Sequence, residues 1–374
     1  MPSKLNRKEK PRLWKDHLSK DAVSVFSKCI KDAYSKFDQK QYAKAVLSDG
    51  FLKLELKERL NKIAESLKGF LPVDYDAAVR ILIEVAPHVG TFENWALTIY
   101  IEKFGLKDFR VSVNALEELT RYGTSEFAIR PFIIHQTARM LPILIKWTKS
   151  DNEHIRRLAA EGSRPRGVWV AHIDAFKKDA RPVIKILEKL KADDSLYVRK
   201  AVANNLNDIS KEHPDLVAST CKKWQKAGDA RTDWIIKHGC RTLIKNGHPL
   251  AMSLFGFAKK PNVRIKLFSI KPAKVKIGDS GVATLVLKLS TDQKSKQKLS
   301  VDYKVYFVSK NGSKNKKLFK WAVKSIDSQN DLTLEKKQLF KDQLTRKHFP
   351  GAHKIEVLIN GEVVASKSVV LSSP

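Results

Sequence analysis

The stretch "RRLAAEGSRPRGVW", residues 156–169, sets Glu161 directly before Gly162 and among Arg156, Arg157, Arg164 and Arg166. The spacing reads as the end of an amphipathic helix, with Gly162 as its stop. A carboxylate there faces the negative end of the helix dipole, a place that favours Lys or Arg. Arg157 is spaced for i,i+4 pairing, but an exposed pair contributes only about 0.3–0.5 kcal/mol and does not account for the placement. Asp208 repeats the oddity near the end of "YVRKAVANNLND". On that helix Val198, Val202, Leu206 and Ile209 share an apolar face, while Ala201, Asn204 and Asp208 form a separate small and polar stripe. Glu126, in "TSEFAIRPF", is expected in the first turn of a helix, where capping explains it as well as chemistry does. Trp169, in the polar loop "SRPRGVWVAHID", is either a packed aromatic or a face for a base or cation. Glu161 and Asp208 are thus either ion-pair partners on a helix surface or carboxylates held out for chemistry.

Charge narrows the partner. The 374 residues carry a formal net charge of +31. Phosphate neutralisation with counterion release makes a nucleic acid the natural ligand. A membrane surface fits less well, because no basic amphipathic helix with an aromatic insertion face is visible. No apolar run approaches the roughly 18 residues of a membrane span, and no hydrophobic signal region follows the charged N-terminus. Cys29, Cys221 and Cys240 form no CxxC pair. That argues against a zinc site or disulfide frame and fits a reducing cytoplasm. There is no Walker loop, GxGxxG, GxSxG or HExxH. His135, His154, His172 and His238 do not cluster at metal spacing. No metal, nucleotide or redox cofactor is therefore expected.

The elements that must position these residues change character along the chain. Residues 1–258 read as one helix after another. In "LKLELKERLNKIAESLKGFLP", Leu56, Leu60, Ile63, Leu67 and Phe70 recur at three- and four-residue spacing before Pro72. Similar runs follow at "YDAAVRILIEVAP", "FRVSVNALEELTRYG", "AIRPFIIHQTARMLPILIKWTK" and "RPVIKILEKLK". The segments "HIRRLAAEGSR", "YVRKAVANNLND" and "WIIKHGCRTLIK" resemble one another, with Ile155 and Val198 separated by 43 positions and Val198 and Ile236 by 38. Irregular periods near 40 predict an all-α HEAT-like repeat solenoid, with an irregular helical bundle as the alternative. Residues 262–374 are instead short, β-branched and alternating, with turn signals at Asn311-Gly312 and Asn360-Gly361. They predict a small immunoglobulin-like β-sandwich, so the fold class is multidomain α + β. Within it, "TLEKKQLFKDQL" fits either a short helix or an irregular strand. From residue 261 onward the net charge is +14 over 114 residues, about twice as basic per residue as the rest.

Several of these segments match a known family. "LELKERLNKIAESLKGFLP", "TSEFAIRPF", "IRRLAAEGSRPRGVW", "YVRKAVANNLNDISKEHPDLV" and "WIIKHGCRTLIKNGHPLAM" resemble the AlkC branch of the AlkC/AlkD alkylpurine DNA glycosylases. The likeness runs through most of residues 40–255, and the β-rich tail resembles the form that adds an immunoglobulin-like domain. "RPRGVW" departs from the more usual "RPRLPW", which alters loop stiffness and keeps the tryptophan.

The resemblance implies a monofunctional glycosylase that excises 3-methyladenine and 3-methylcytosine from duplex DNA, gripping the backbone without a tight base pocket. It implies catalytic roles for Glu126, Glu161, Asp208 and Trp169, with Glu161 positioning water. Arg130, Arg156, Arg164, Arg166, Arg199, Lys200, Lys237, His238 and Arg241 are expected to contact DNA, as are Lys314, Lys316 and Lys317 of the tail. On that reading the arginines around Glu161 bring the polyanion to it and need not be its partners. A cytoplasmic monomer acting on nucleoid DNA is expected. The competing readings are a non-catalytic basic scaffold for nucleic acid or an acidic protein, and an AlkD-like enzyme for bulky or 7-methylguanine lesions.

Overall fold

Side-chain caps and apolar stripes set the helices. The computed structural model describes residues 13–373 apart from 168, 344 and 345. A 3₁₀ turn at Trp14–His17 precedes α1 (Lys20–Ala33), α2 (Gln39–Leu47), α3 (Leu56–Leu67), α4 (Tyr75–Val85), α5 (Thr91–Phe104) and α6 (Phe109–Leu119). Then come α7 (Arg130–His135), α8 (Thr137–Trp147), α9 (Glu153–Gly162), α10 (Asp174–Lys178), α11 (Arg181–Lys189) and α12 (Leu196–Ile209). The series ends with α13 (Pro214–Gln225), α14 (Ala230–Gly239), α15 (Arg241–Lys245) and α16 (Pro249–Ser253). Ser19, Asp38, Asp74, Asn152 and Ser195 each accept a backbone N–H at a helix start. Among the described residues no helix is long and apolar enough to cross a membrane.

The repeat seen in the sequence is a packing repeat. Ile155, Val198 and Ile236 are all buried, and α12 packs against both α9 and α14. Two expected runs are broken. "AIRPFIIHQTARMLPILIKWTK" divides at Gln136 into α7 and α8, and "WIIKHGCRTLIK" divides at Cys240 into α14 and α15.

The strands follow as β1 (Arg264–Lys271), β2 (Lys274–Lys276), β3 (Val282–Ser290), β4 (Gln297–Val308), β5 (Lys314–Ile326), β6 (Leu332–Leu339), β7 (Gly351–Ile359) and β8 (Glu362–Ser372). They form a three-stranded sheet ordered β1-β3-β6 and a five-stranded sheet ordered β2-β8-β7-β4-β5. Alternate residues of both sheets, among them Leu285, Leu287, Val301, Val305, Ile355 and Val357, fill the space between them. "TLEKKQLFKDQL" is a strand over Leu332–Leu339, because β3 offers it a full antiparallel ladder. The β7–β8 hairpin turns at Asn360 and Gly361, whose φ values of 50° and 89° are those a two-residue primed turn requires.

Packing divides the chain into two compact units, Met1–Glu212 with Asp229–Gly239, and His213–Gly228 with Cys240–Pro374. Secondary structure changes from helix to strand between α16 and β1, but α13, α15 and α16 pack as part of the sandwich unit. Asn360 Nδ2 donates to the carbonyl of Ala258 at 2.8 Å, and Gln225 of α13 donates to the carbonyl of Leu254 at 3.1 Å. Gly247 and Gly361 meet backbone to backbone. A Cβ on Gly361 would lie 2.4 Å from the Cα of Gly247, so both positions exclude a side chain.

Candidate active site

Three pieces of the first unit meet at Glu161. The last turn of α9 is fixed from α12, where the buried Asn205 donates through Nδ2 to the Ala160 carbonyl at 2.7 Å and to Ser163 Oγ at 3.2 Å. Ser163 donates back to the carbonyls of Ala159 and Ala160. Gly162 differs from its expected role. It is the last helical residue rather than a left-handed stop, and a Cβ there would meet Ile129 Cγ2 at 2.8 Å. Its bareness lets the turn before α7 approach, and that turn carries Glu126. The glutamate lies ahead of α7, not in its first turn, and its carboxylate caps no helix.

Guanidiniums thread between the three carboxylates. Arg157 ion-pairs with Glu126, donates to Thr124 Oγ1 at 3.1 Å and has Nη2 3.8 Å from Glu161 Oε2. Arg164 donates to Glu161 Oε1 and, through Nε, to Asp208 Oδ2 at 2.8 Å. Lys211 takes the other oxygen of Asp208 at 2.9 Å. Glu126, Arg157, Glu161, Arg164 and Asp208 thus form one alternating chain, largely withdrawn from solvent, and Asp208 is 4% exposed. Of the two readings open for the arginines near Glu161, Arg157 and Arg164 take that of ion-pair partners. The alternation has an electrostatic use. Each carboxylate keeps a strong local field, while opposite charges beside it cancel the long-range repulsion of a polyanion.

Burial pushes Glu126 above the usual carboxylate range; Arg157 pulls against the shift and Glu161 adds to it. Its Oε2 is shut off from solvent and faces Arg157 Nη2. For Arg164 burial opposes the charge, but Glu161 and Asp208 outweigh it and raise the guanidinium's pKa.

The chain of charges borders a cavity of about 260 Å³ lined by Glu126, Glu161, Arg164 and Trp169, with Trp14, Phe127 and Val170. Trp169 is 61% exposed and holds φ at 64°. That region costs a non-glycine residue about 1–3 kcal/mol unless its surroundings hold it. Here they do. Lys57 Nζ donates to the Trp169 carbonyl at 2.7 Å, and Arg130 donates to the carbonyls of Ala171, Gly162 and Arg164.

The expected phosphate contacts separate into two groups. Arg130 is 2% exposed and spent on loop carbonyls, so it has no surface to offer a phosphate. Burial, with Arg164 nearby, lowers its pKa to about 10, still charged at neutral pH. Arg156 and Arg199 are equivalent positions of successive repeats. Arg156 donates to the carbonyls of Ser150 and Asp151, Arg199 to those of Asp193 and Asp194, each bracing the loop before its helix. Arg156 also binds the Asp193 carboxylate, and Arg166 binds that of Glu212 at 2.8 Å. The fold brings acceptors to each of these guanidiniums, although Arg199 Nε stays without one where the group lies over the Trp234 ring, and Arg166 remains one-third exposed. Lys200, Lys237, His238 and Arg241 are exposed, and the His238 ring lies tilted at 37° against Trp234 with centroids 4.0 Å apart.

In the second unit Lys314, Lys316 and Lys317 are exposed on β5, an edge strand. Lys316 and Lys317 border a cavity of about 420 Å³ with Phe307, Arg346, Lys347 and Phe349. Sequence reasoning missed Arg346 and Lys347. It also missed Asn205 and Trp14, for which no spacing signal existed, and it gave Arg157 only a weak surface role.

Comparison with known proteins accords with this geometry. A family profile described as "DNA alkylation repair enzyme" matches residues 120–243, the stretch that holds Glu126, Glu161, Trp169 and Asp208. A second profile, the C-terminal Ig-like domain of the uncharacterised protein YhaZ, matches residues 264–373. The chain is 38% identical to the uncharacterised protein YhaZ of Bacillus subtilis, over 93% of this chain and 96% of that one. It is also similar to the alkylpurine DNA glycosylase AlkC of Pseudomonas fluorescens, solved bound to DNA containing an abasic site analogue. The identity is 36% and the TM-score 0.88, covering 96% of this chain and 99% of that chain. Across that span the shared elements include both the helical repeats and the sandwich. The chain belongs to the AlkC family of DNA alkylation repair enzymes, in the form with a C-terminal immunoglobulin-like domain.

Proposed function

We propose that this protein is a monofunctional DNA glycosylase that hydrolyses the N-glycosidic bond of cationic N3-methylated bases, 3-methyladenine and 3-methylcytosine, in duplex DNA. The observation that carries the reading is the cavity where Glu126, Glu161 and Trp169 converge, one guanidinium away from Asp208, in a relative of a glycosylase solved on abasic-site DNA.

Methylation at N3 leaves the base cationic, so it departs without a general acid. The C1′–N bond breaks with its electron pair going to the base, and positive charge moves to the deoxyribose. Glu161, Asp208 and Glu126 stabilise that sugar cation, and the Trp169 face adds to the stabilisation. Glu161 orients the water that attacks C1′ and accepts its proton, leaving an abasic site and a neutral methylated base. Arg157 and Arg164 hold the carboxylates in register before substrate arrives, so little reorganisation remains for the transition state.

Incubation with methylated duplex DNA and chromatography of the released bases tests the reading. Release of 3-methyladenine and 3-methylcytosine without strand scission is expected. Release of 7-methylguanine alone points to the AlkD-like activity, and no release to a non-catalytic scaffold.

The sandwich is assigned a phosphate-gripping role through Lys314, Lys316 and Lys317. Replacing all three by Ala should flatten the log–log salt dependence of DNA binding by about 0.9 for each phosphate that they neutralise. The identity of the released base should stay the same, because phosphate contacts position the protein without reading the lesion. An unchanged slope in a filter-binding or anisotropy titration would leave these lysines as solvated surface charge.

A further inference from the structure

All seven tryptophans lie among the described residues, and only Trp14 and Trp169 are largely exposed, at 63% and 61%. Both line the cavity that contains Glu126, Glu161 and Arg164. An indole buries roughly 150–250 Å² when it is covered, so two of them left in water at one cavity mark a surface that a ligand completes.

The turn that carries Trp14 is held as firmly as the loop that carries Trp169, and by the same device. Arg59 of α3 is 3% exposed and gives its guanidinium to four carbonyls. It donates to Lys15 at 2.7 Å, Leu18 at 3.1 Å, Leu52 at 2.6 Å and Leu54 at 3.1 Å. Lys15 adds an ion pair to Glu55 at 2.6 Å. Arg130 does the equivalent for the Trp169 loop through the carbonyls of Gly162, Arg164 and Ala171. A buried arginine committed to backbone carbonyls fixes chain position and leaves no charge for solvent. Trp14 is tilted at 57° to Phe92 with centroids 6.5 Å apart, and most of its surface stays in solvent.

We propose that Trp14 is a substrate-contacting residue, a second aromatic wall that covers the exposed lesion nucleotide together with Trp169. The ligand it recognises is a flat, N-alkylated and therefore cationic nucleobase, or the unstacked nucleotide position the base leaves behind. An indole face serves both, by cation–π attraction in the first case and by stacking on the neighbouring base in the second. The proposal rests on the glycosylase reading only for the identity of the lesion; the contact to a damaged nucleotide is tested without turnover.

The test compares wild type, Trp14→Ala and Trp14→Phe in binding to two duplexes of one sequence, undamaged and carrying an abasic-site analogue. Single-turnover release of 3-methyladenine and melting temperatures are measured alongside. Trp14→Ala should lower the preference for the damaged duplex about tenfold, the scale of one base–aromatic stack, and leave affinity for the undamaged duplex within twofold. Trp14→Phe should recover most of that preference. A preference unchanged in Trp14→Ala overturns the proposal. So does an equal loss in Trp14→Phe, or a loss shared by both duplexes along with a lowered melting temperature. If wild type releases no methylated base, the glycosylase reading fails, while the preference ratio still decides whether Trp14 meets the damaged nucleotide.

Discussion

Glu161→Gln lowers the rate of 3-methyladenine release by about 10²–10³-fold, the loss typical when one preorganised electrostatic partner of a transition state is removed. The amide keeps the shape of the side chain but can neither accept the proton of water nor face a sugar cation with full charge. Folding should survive. Arg164 still has Asp208 as a partner and Arg157 still has Glu126, so the substitution strands no guanidinium. DNA affinity should stay near wild type, since Glu161 lies within a charge chain rather than against the phosphates. Single-turnover kinetics, an equilibrium binding titration and a thermal melt separate the outcomes. Near-normal release accompanied by a marked fall in melting temperature would make Glu161 a structural ion-pair partner and nothing more.

Arg164→Ala should do the opposite damage, to stability first. The side chain joins Glu161 to Asp208, and all three are largely withdrawn from water. Removing one partner from a buried pair costs about 3–5 kcal/mol, because the remaining charge is left without compensation. Here two carboxylates lose their shared partner, and Lys211 beside Asp208 and Arg157 beside Glu161 hold the cost toward the lower end of that range. Denaturant unfolding should therefore shift strongly, and protein that remains folded should lose excision as well. Arg164→Lys should restore only part of either, since one ammonium cannot reproduce a planar fork that serves two carboxylates. The phosphate-clamp role that the sequence implies for Arg164 makes a different forecast. Under it, Arg164→Ala weakens DNA binding and flattens its salt dependence, with stability unchanged. A result of that kind would dismantle the charge-chain account of the site.

Some of this was legible in the residues alone. Helical periodicity through Leu60, Ile63 and Leu67, and again through Val198, Val202 and Leu206, gave the helical repeats because burial of one stripe is a local demand. The alternating runs after residue 262 gave the sandwich for the same reason, and Asn360-Gly361 fixed a hairpin because few residue pairs adopt two positive φ values. Glu161 and Asp208 stood out because a carboxylate near a helix C-terminus opposes the dipole, which is a property of the helix and not of its neighbours.

What surrounds those carboxylates was decided elsewhere. Arg164 reaches Asp208 across 44 positions of sequence, and Asn205 reaches Ala160 across 45, because α12 packs on α9. Glu126 arrives beside Arg157 because Gly162 lets the turn before α7 come close. Arg130, Arg156 and Arg199 look alike in the sequence as cations for a polyanion, yet each, like Arg59, is turned to carbonyl oxygens. Cys221 and Cys240, 19 positions apart, likewise end with their sulfurs 3.5 Å from each other as buried free thiols. A sequence specifies which groups a residue can bond and which helix face it takes. Which acceptors stand opposite that face depends on how helices stack, so the same guanidinium becomes a phosphate clamp, a carboxylate bridge or a loop brace only once the tertiary structure has chosen its neighbours.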